Sequence, residues 1–424
     1  MFSKLIQVWK TPDLRKSLLF VLLMLVVFRL AAHVPIPGVD PDNLRNFFAS
    51  NQILGLLNIF SGGTMESFSV VALGVSPYIT ASIIFQLLAM IIPRLEELQK
   101  EGQQGQERIN QYTRLATVPL AFLQGFGMLS LLRQSPRPII AGMDFFQTAT
   151  VMVIMTAGTI FLMWIGELIS ERKIGNGISL LIFAGIISGL PGALQQALVT
   201  FDKSQVLDWL AYLVLALVTV AGVVIVSEGQ RNVPVIYAKR MRGTRLSGGA
   251  ETYLPLRVNM AGVIPIIFAI SIILFPSMIA QFFIHAKTAA IASFAQSTIA
   301  FFQDQTIYAV LYFLMVMGFT YFYTAVIFHP DQVAENLQKQ GGFIPGIRPG
   351  RPTSEYLMRT LNRITPAAAV FLAVIAVLPL VVQQFTGSQT LAIGGTSLLI
   401  VVSVVIETVN QIDAQLTMRE YETI

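Results

Sequence analysis

Leu210-Ala-Tyr-Leu-Val-Leu-Ala-Leu-Val-Thr-Val-Ala-Gly-Val-Val-Ile-Val226 runs for 17 residues without a single charge. A helix that is apolar on every face must be wrapped by a large core or by lipid. Its flanks extend it to 209–227, about the length that crosses a hydrocarbon layer roughly 30 Å thick. Ser17–Phe28, Val151–Ile165 and Leu398–Ile406 read the same way. Across the 424 residues, 54% are hydrophobic and only 12% charged, where a soluble domain carries about a quarter charged residues. That much apolar surface would leave large patches in water. The expected class is an all-α integral membrane protein.

Ten spans are expected, near 17–34, 74–93, 113–133, 149–170, 177–199, 209–227, 258–283, 307–328, 366–383 and 392–411. The first is read as a retained helix, because Ala31-Ala32-His33 is no small-x-small cleavage site and Arg29 interrupts the run. With ten spans both termini share one side, and that side holds 22 of the 28 Lys and Arg residues. Basic residues accumulate on cytoplasmic loops. The termini and the large basic segments 228–257 and 329–365 are therefore expected in the cytoplasm, with the protein in the inner (plasma) membrane. The net charge of +5 reflects this bias and not a general affinity for nucleic acid.

The chemistry of an enzyme is missing. His33, His285 and His329 are far apart, so no metal site is expected. There is no phosphate-cradling Gly loop with its Lys, no Gly-x-Ser-x-Gly elbow and no paired carboxylate motif. No catalytic residue and no cofactor is assigned. The charges within span limits, Arg29, Glu167 and Glu407, lie within several residues of an end, where they snorkel or pair with a neighbouring helix. The absence of Cys excludes disulfides in the outer loops.

One irregularity interrupts the pattern. Ser61-Gly62-Gly63 breaks the chain, and Thr64–Leu73 has the composition of a short, semi-polar helix. Ser76 is then placed to cap a new helix, with Pro77 at its first position. Two readings stay open: a re-entrant element, tolerated at membrane depth only where protein or a cavity surrounds it, or an outer loop with an interfacial helix.

Gly74-Val-Ser-Pro-Tyr-Ile-Thr-Ala-Ser-Ile-Ile-Phe-Gln-Leu-Leu88 resembles the second transmembrane segment of the SecY family. Similar to that family, and in order, are Pro35-Ile-Pro-Gly-Val39, Gly175-Asn-Gly-Ile-Ser179, Tyr237-Ala-Lys-Arg240, Leu254-Pro-Leu-Arg-Val-Asn-Met-Ala-Gly-Val-Ile-Pro265, Phe343-Ile-Pro-Gly-Ile-Arg-Pro-Gly350 and Gly394-Gly-Thr-Ser-Leu-Leu-Ile400. Each is weak alone; seven in register are specific.

The resemblance implies a channel of two inverted pseudo-symmetric halves, residues 1–200 with spans 1–5 and 201–424 with spans 6–10. Unfolded polypeptide would cross between the halves, and hydrophobic segments would leave sideways into membrane lipid between spans 2–3 and 7–8. It implies a re-entrant plug helix over about 61–73, including Ser61, Gly62, Gly63, Thr64 and Glu66. It also implies a pore ring of Ile79, Ile83, Ile178, Ile182, Ile267 and Ile400. Isoleucine has no polar atom to solvate an ion, so a narrow ring of it seals by dewetting. An Ile taken at random in such a helix faces lipid or a neighbouring helix instead.

The two basic segments are the second feature. Val233–Tyr237 and Thr252–Leu256 are expected to pair as a hairpin, with Ser247-Gly248-Gly249 at the turn. By resemblance, Lys239, Arg240, Arg242, Arg245, Arg348 and Arg351 dock the motor ATPase SecA or the ribosome, the latter through rRNA phosphates. SecE, SecG and the signal peptides of preproteins are implied partners. Polar residues expected to loosen the lateral seam are Gln86, Gln124 and Ser271, although such side chains in spans also make ordinary interhelical bonds. The alternative class is a secondary transporter with inverted repeats and a small-solute site at midplane.

Overall fold

The computed structural model describes residues 9–37, 39–40, 43–44, 61, 63–65, 67–133, 139, 144–199, 206–237, 240–242, 245–247, 251–284, 286, 288–386 and 394–422. Each of the ten expected spans overlaps one helix. They are α1 (Pro12–Ala32), α2 (Ser76–Ile91), α4 (Gln103–Arg133), α5 (Phe145–Glu171), α6 (Gly177–Val199), α7 (Val206–Glu228), α8 (Ile264–Phe283), α10 (Gln305–Ile327), α12 (Arg351–Thr386) and α13 (Gly394–Glu422). Three shorter helices were not anticipated: α3 (Pro93–Lys100), α9 (Ala289–Gln303) and α11 (Pro330–Lys339). Among the described residues, six helices are individually long and apolar enough to cross a membrane. A seventh results if α2 and α3 are joined across their bend of 106°. The chain is an all-α membrane protein with a small extramembrane sheet.

Local chemistry sets the helix starts. Proline occupies the first turn of α1, α2, α3, α8 and α11, where its missing N–H costs no helical bond. At α5, Asp144 Oδ1 accepts from Phe145 N at 2.8 Å, and Gln147 returns a bond to the Asp144 N–H at 3.2 Å. At α10, Asp304 Oδ1 accepts from the amides of Thr306 and Ile307. Ser76 does not cap α2. Val75 holds that position and Ser76 is already helical, its carbonyl accepting from Thr80 Oγ1 at 3.0 Å.

Helices adjacent in the sequence pack together. In the first part of the chain α2 lies on α4, α4 on α5, and α5 on α6, with α1 across α5 and α6. In the second part α8 lies on α10, α10 on α12, and α12 on α13, with α7 along α13. The two parts meet where α8 touches α2 and α4, and where α13 touches α6. One large apolar core runs through both.

Outside the bundle, β1 (Gln230–Tyr237) pairs antiparallel with β4 (Glu251–Arg257), Val233 opposite Leu254 and Val235 opposite Thr252, as the alternating pattern requires. The turn differs from expectation. β2 (Arg240–Arg242) and β3 (Arg245–Ser247) pair with each other, Arg242 opposite Arg245 and Ser247 opposite Arg240. Ser247 is thus a paired strand residue and not part of the turn, because three pairs form a second, two-stranded sheet here; Gly248 and Gly249 lie outside the described residues. β5 (Gly342–Phe343) adds to the free edge of β1. A separate core of Val233, Val235, Leu256, Leu337, Ile344 and Leu357 joins the sheet to α11 and α12.

Candidate functional site

All six isoleucines singled out from the sequence belong to the one central cluster. Ile79, Ile83, Ile182, Ile267 and Ile400 are buried in it, and Ile178 is half-buried against it. They arrive on four helices, α2, α6, α8 and α13, two from each part of the chain. On α2 and α6 the paired residues are four apart, so each helix turns one aliphatic face inward. None of the six has a side chain facing outward into open space.

Directly beside this cluster sits a cavity of about 20 Å³, lined by Ser61, Met65, Val75, Ser76, Ile79, Ile267, Ile270 and Ser271. Such a volume holds roughly one water. Its walls come from three places: the 61–65 stretch, α2 and α8. Ser61 of the Ser-Gly-Gly break and Met65 just after it thus share this cavity with two of the six isoleucines. Sequence reasoning missed Met65, Val75 and Ile270; Ile270 lies three residues past Ile267, which is the available signal.

The path of residues 63–75 corrects the expectation of a helix over Thr64–Leu73. Its described residues form consecutive turns, with Gly63, Phe68 and Gly74 at positive φ. Hydroxyls compete for the carbonyls a helix would use: Thr64 Oγ1 donates to Ser61 O at 2.8 Å, and Ser67 Oγ and Ser69 Oγ both donate to Thr64 O. The segment is nevertheless buried. Thr64, Ser69, Val71 and Ala72 are fully enclosed. Residues 34–36 clamp one side, through Ile36 N to Phe68 O and Val70 N to Val34 O, both 2.9 Å. On another side α5 comes so close at Gly158 that a Cβ there would lie 2.0 Å from the Val70 carbonyl oxygen. Gly62 and Glu66 lie outside the described residues.

At the seam between α8 and the pair α2/α4, none of the three expected polar residues bonds across. Gln124 is buried and donates from Nε2 to Thr80 Oγ1 at 3.3 Å, tying α4 to α2. Gln86 Nε2 donates to Ser82 Oγ on its own helix at 3.1 Å, while its Oε1 is buried and lacks a partner. Ser271 Oγ donates to Ile267 O, also within its helix. Glu167, expected to pair or snorkel, is bound to Arg114 across α4 and α5 at 2.6 Å.

The basic segments converge on the small sheet. Arg240 and Arg242 lie on β2 and Arg245 on β3; Lys239 lies outside the described residues. Arg348 is exposed in a loop set by Gly346 and Gly350, both at positive φ. Its carbonyl accepts from Thr353 Oγ1 at 2.9 Å, which fixes the loop to the first turn of α12. Arg351 is exposed and pairs with Glu355 one turn on, at 3.4 Å.

The family model described as SecY matches residues 69–409. The chain is 46% identical over 440 residues to the protein translocase subunit SecY of Streptomyces galbus, covering 100% of this chain and 99% of that protein. It is 45% identical over 439 residues to that of Corynebacterium glutamicum, covering 99% of both. The fold is similar to the solved structure titled "The structure of a protein conducting channel". The TM-score is 0.62 at 16% identity, covering 93% of this chain and 90% of that one. It is also similar to the Sec61 chain of a canine ribosome–channel complex from the endoplasmic reticulum, at TM-score 0.56 and 16% identity, with 93% and 90% covered.

Proposed function

Because the chain belongs to the SecY family, we propose that it is the pore-forming subunit of a protein translocase, a non-catalytic channel for unfolded preproteins. The observation that carries this reading is the convergence of six isoleucines from four helices into one apolar core beside the buried 63–75 segment. A ring of branched aliphatic side chains holds back water and ions at rest, parts around a threading chain and binds none of its side chains. The turns over 63–75, with Ser61 and Met65 across one small cavity from Ile79 and Ile267, act as the plug that backs the ring.

The chain works as two halves, 1–200 and 201–424, which part along the contact of α8 with α2 and α4. Ile79 of α2 and Ile267 and Ile270 of α8, which line this contact, suit this, since hydrophobic segments leaving past them meet side chains like lipid. Gln86, with one unpartnered amide oxygen in the first half, is the polar residue placed to respond when the seam opens. The sheet and the Arg348 loop form one docking platform. Lys239, Arg240, Arg242, Arg245, Arg348 and Arg351 meet the motor SecA or ribosomal RNA there. The small subunits SecE and SecG brace the exposed apolar helix faces. The protein lies in the inner membrane with its termini in the cytoplasm, as the distribution of Lys and Arg supports. Relatives named as translocase subunits over the full length leave the solute-transporter reading without support.

Reconstitution into vesicles with the two small subunits and the motor is expected to give ATP-driven import of a precursor. Uptake of a small solute driven by a counter-ion, without import of the precursor, would overturn the proposal.

A further inference from the structure

Between α8 and α10, on the membrane face opposite the sheet, α9 spans 15 residues, Ala289–Gln303, without a charged side chain. At about 1.5 Å per residue it is some 22 Å long and too short to cross a bilayer. It packs chiefly along α8; Ala295 is buried and Phe302 lies half-buried against the central apolar cluster. A helix advances about 100° per residue, so Ile291, Phe294 and Phe301 fall in one adjoining sector. They are 46%, 74% and 48% exposed. Ser293, Gln296 and Ser297, all exposed, fall in the sector on the far side. The helix therefore has three faces: one on protein, one apolar and bare, one polar.

The bare apolar face continues surfaces that already belong to lipid. Phe283 at the end of α8 and Val310 and Leu314 on α10 are exposed apolar residues of membrane helices, and α9 links the two. A polar face of hydroxyls and amides without charge suits the water side of a lipid interface and offers no charge for a protein partner to match. From this we infer that α9 lies in the plane of the membrane, with Ile291, Phe294 and Phe301 inserted among the lipids of the outer leaflet. So seated, it tethers the outer end of α8, the helix that closes the seam, to the bilayer. The inference rests on the membrane-channel reading above.

The chain has no cysteine, so single-cysteine variants report one site each. Phe294→Cys, Phe301→Cys and Gln296→Cys, each labelled with an environment-sensitive nitrobenzoxadiazole, are reconstituted as the full complex in phosphatidylcholine vesicles, with or without phosphatidylglycerol. Leu314→Cys on α10 is the reference for a spanning helix. The labels at 294 and 301 are expected to emit at shorter wavelength than that at 296. They are also expected to lose their emission to shallow nitroxide-labelled lipid, and to do so equally in both vesicle types. The label at 296 should lose its emission to aqueous iodide. Iodide quenching at 294 and 301 equal to that at 296 would overturn the inference, as would shielding of 294 and 301 from both quenchers, which marks a protein cover. Failure of the Leu314 reference to respond to nitroxide lipid would instead sink the membrane reading beneath it.

Discussion

Replacing Gly158 with Ala isolates what seats the 63–75 segment. The added Cβ would stand 2.0 Å from the Val70 oxygen and 2.8 Å from its carbonyl carbon, where ordinary contact begins near 3.4 Å. The Val70 carbonyl must therefore retreat by about 1.4 Å. It cannot do so freely, because the Val70 amide is held by Val34 O at 2.9 Å and Phe68 O holds the Ile36 amide. Overpacking of this kind costs ~1–3 kcal/mol, and a strained hydrogen bond adds up to about 1 kcal/mol. Against this, Ala in place of Gly within a helix returns about 1 kcal/mol. The net expectation is a segment loosened by up to ~3 kcal/mol, with a mid-range of about 1.5 kcal/mol. Ser69→Cys provides the readout: the site is fully buried, so a membrane-impermeant maleimide reacts only when the segment opens. If opening is in rapid equilibrium, the mid-range loosening raises the labelling rate about 10-fold, and the upper limit about 150-fold. Gly318→Ala on α10 is the control, since a Cβ there meets nothing within 4 Å. Labelling in the Gly158→Ala background no faster than in the Gly318→Ala background would refute the reasoning.

Ile182→Asn places an amide in the buried cluster, at a cost of ~1–3 kcal/mol if left unpaired. It is expected to raise resting ion conductance in planar bilayers, and an unchanged conductance would remove Ile182 from the ring. Arg348→Glu alters an exposed loop side chain, so melting should stay within about 0.5 kcal/mol of the parent while motor-driven import slows; normal import would refute its docking role. Leu357→Ala empties a fully buried position beneath the sheet and should cost ~2–5 kcal/mol locally. Limited proteolysis within 228–257 is expected to accelerate while the bundle stays intact, and unchanged cleavage would show that the sheet does not depend on this core.

Membrane class, the number and place of the long helices and the pairing of β1 with β4 were legible in the order of the residues. Each is a local property. A charge-free run of about 20 residues has to be a helix in lipid wherever it sits, and alternation between Val233 and Tyr237 specifies a strand face without reference to the rest of the chain. Of the local judgements that failed, two are instructive. Thr64–Leu73 carries the composition of a short helix, yet Thr64, Ser67 and Ser69 spend their hydroxyls on nearby carbonyls, and contacts to residues 34–36 hold the backbone in turns. Helix α9 was passed over because it is too short to span and too apolar to stand out as a surface helix.

Tertiary structure alone decided which faces meet. Apart from the family resemblance, nothing in the order of residues says that Ile79 and Ile400, more than 300 positions apart, share a core, because an apolar helix can bury any of its sides. Nor does it say that Gly158 is the point where α5 touches the Val70 backbone, since an unoccupied side-chain position matters only to the atom that comes to fill it. Likewise Gln124 was legible as a polar residue in a span, but its partner Thr80 was not. Hydrogen bonds between helices depend on rotation and depth, and those are settled only when all the helices pack at once.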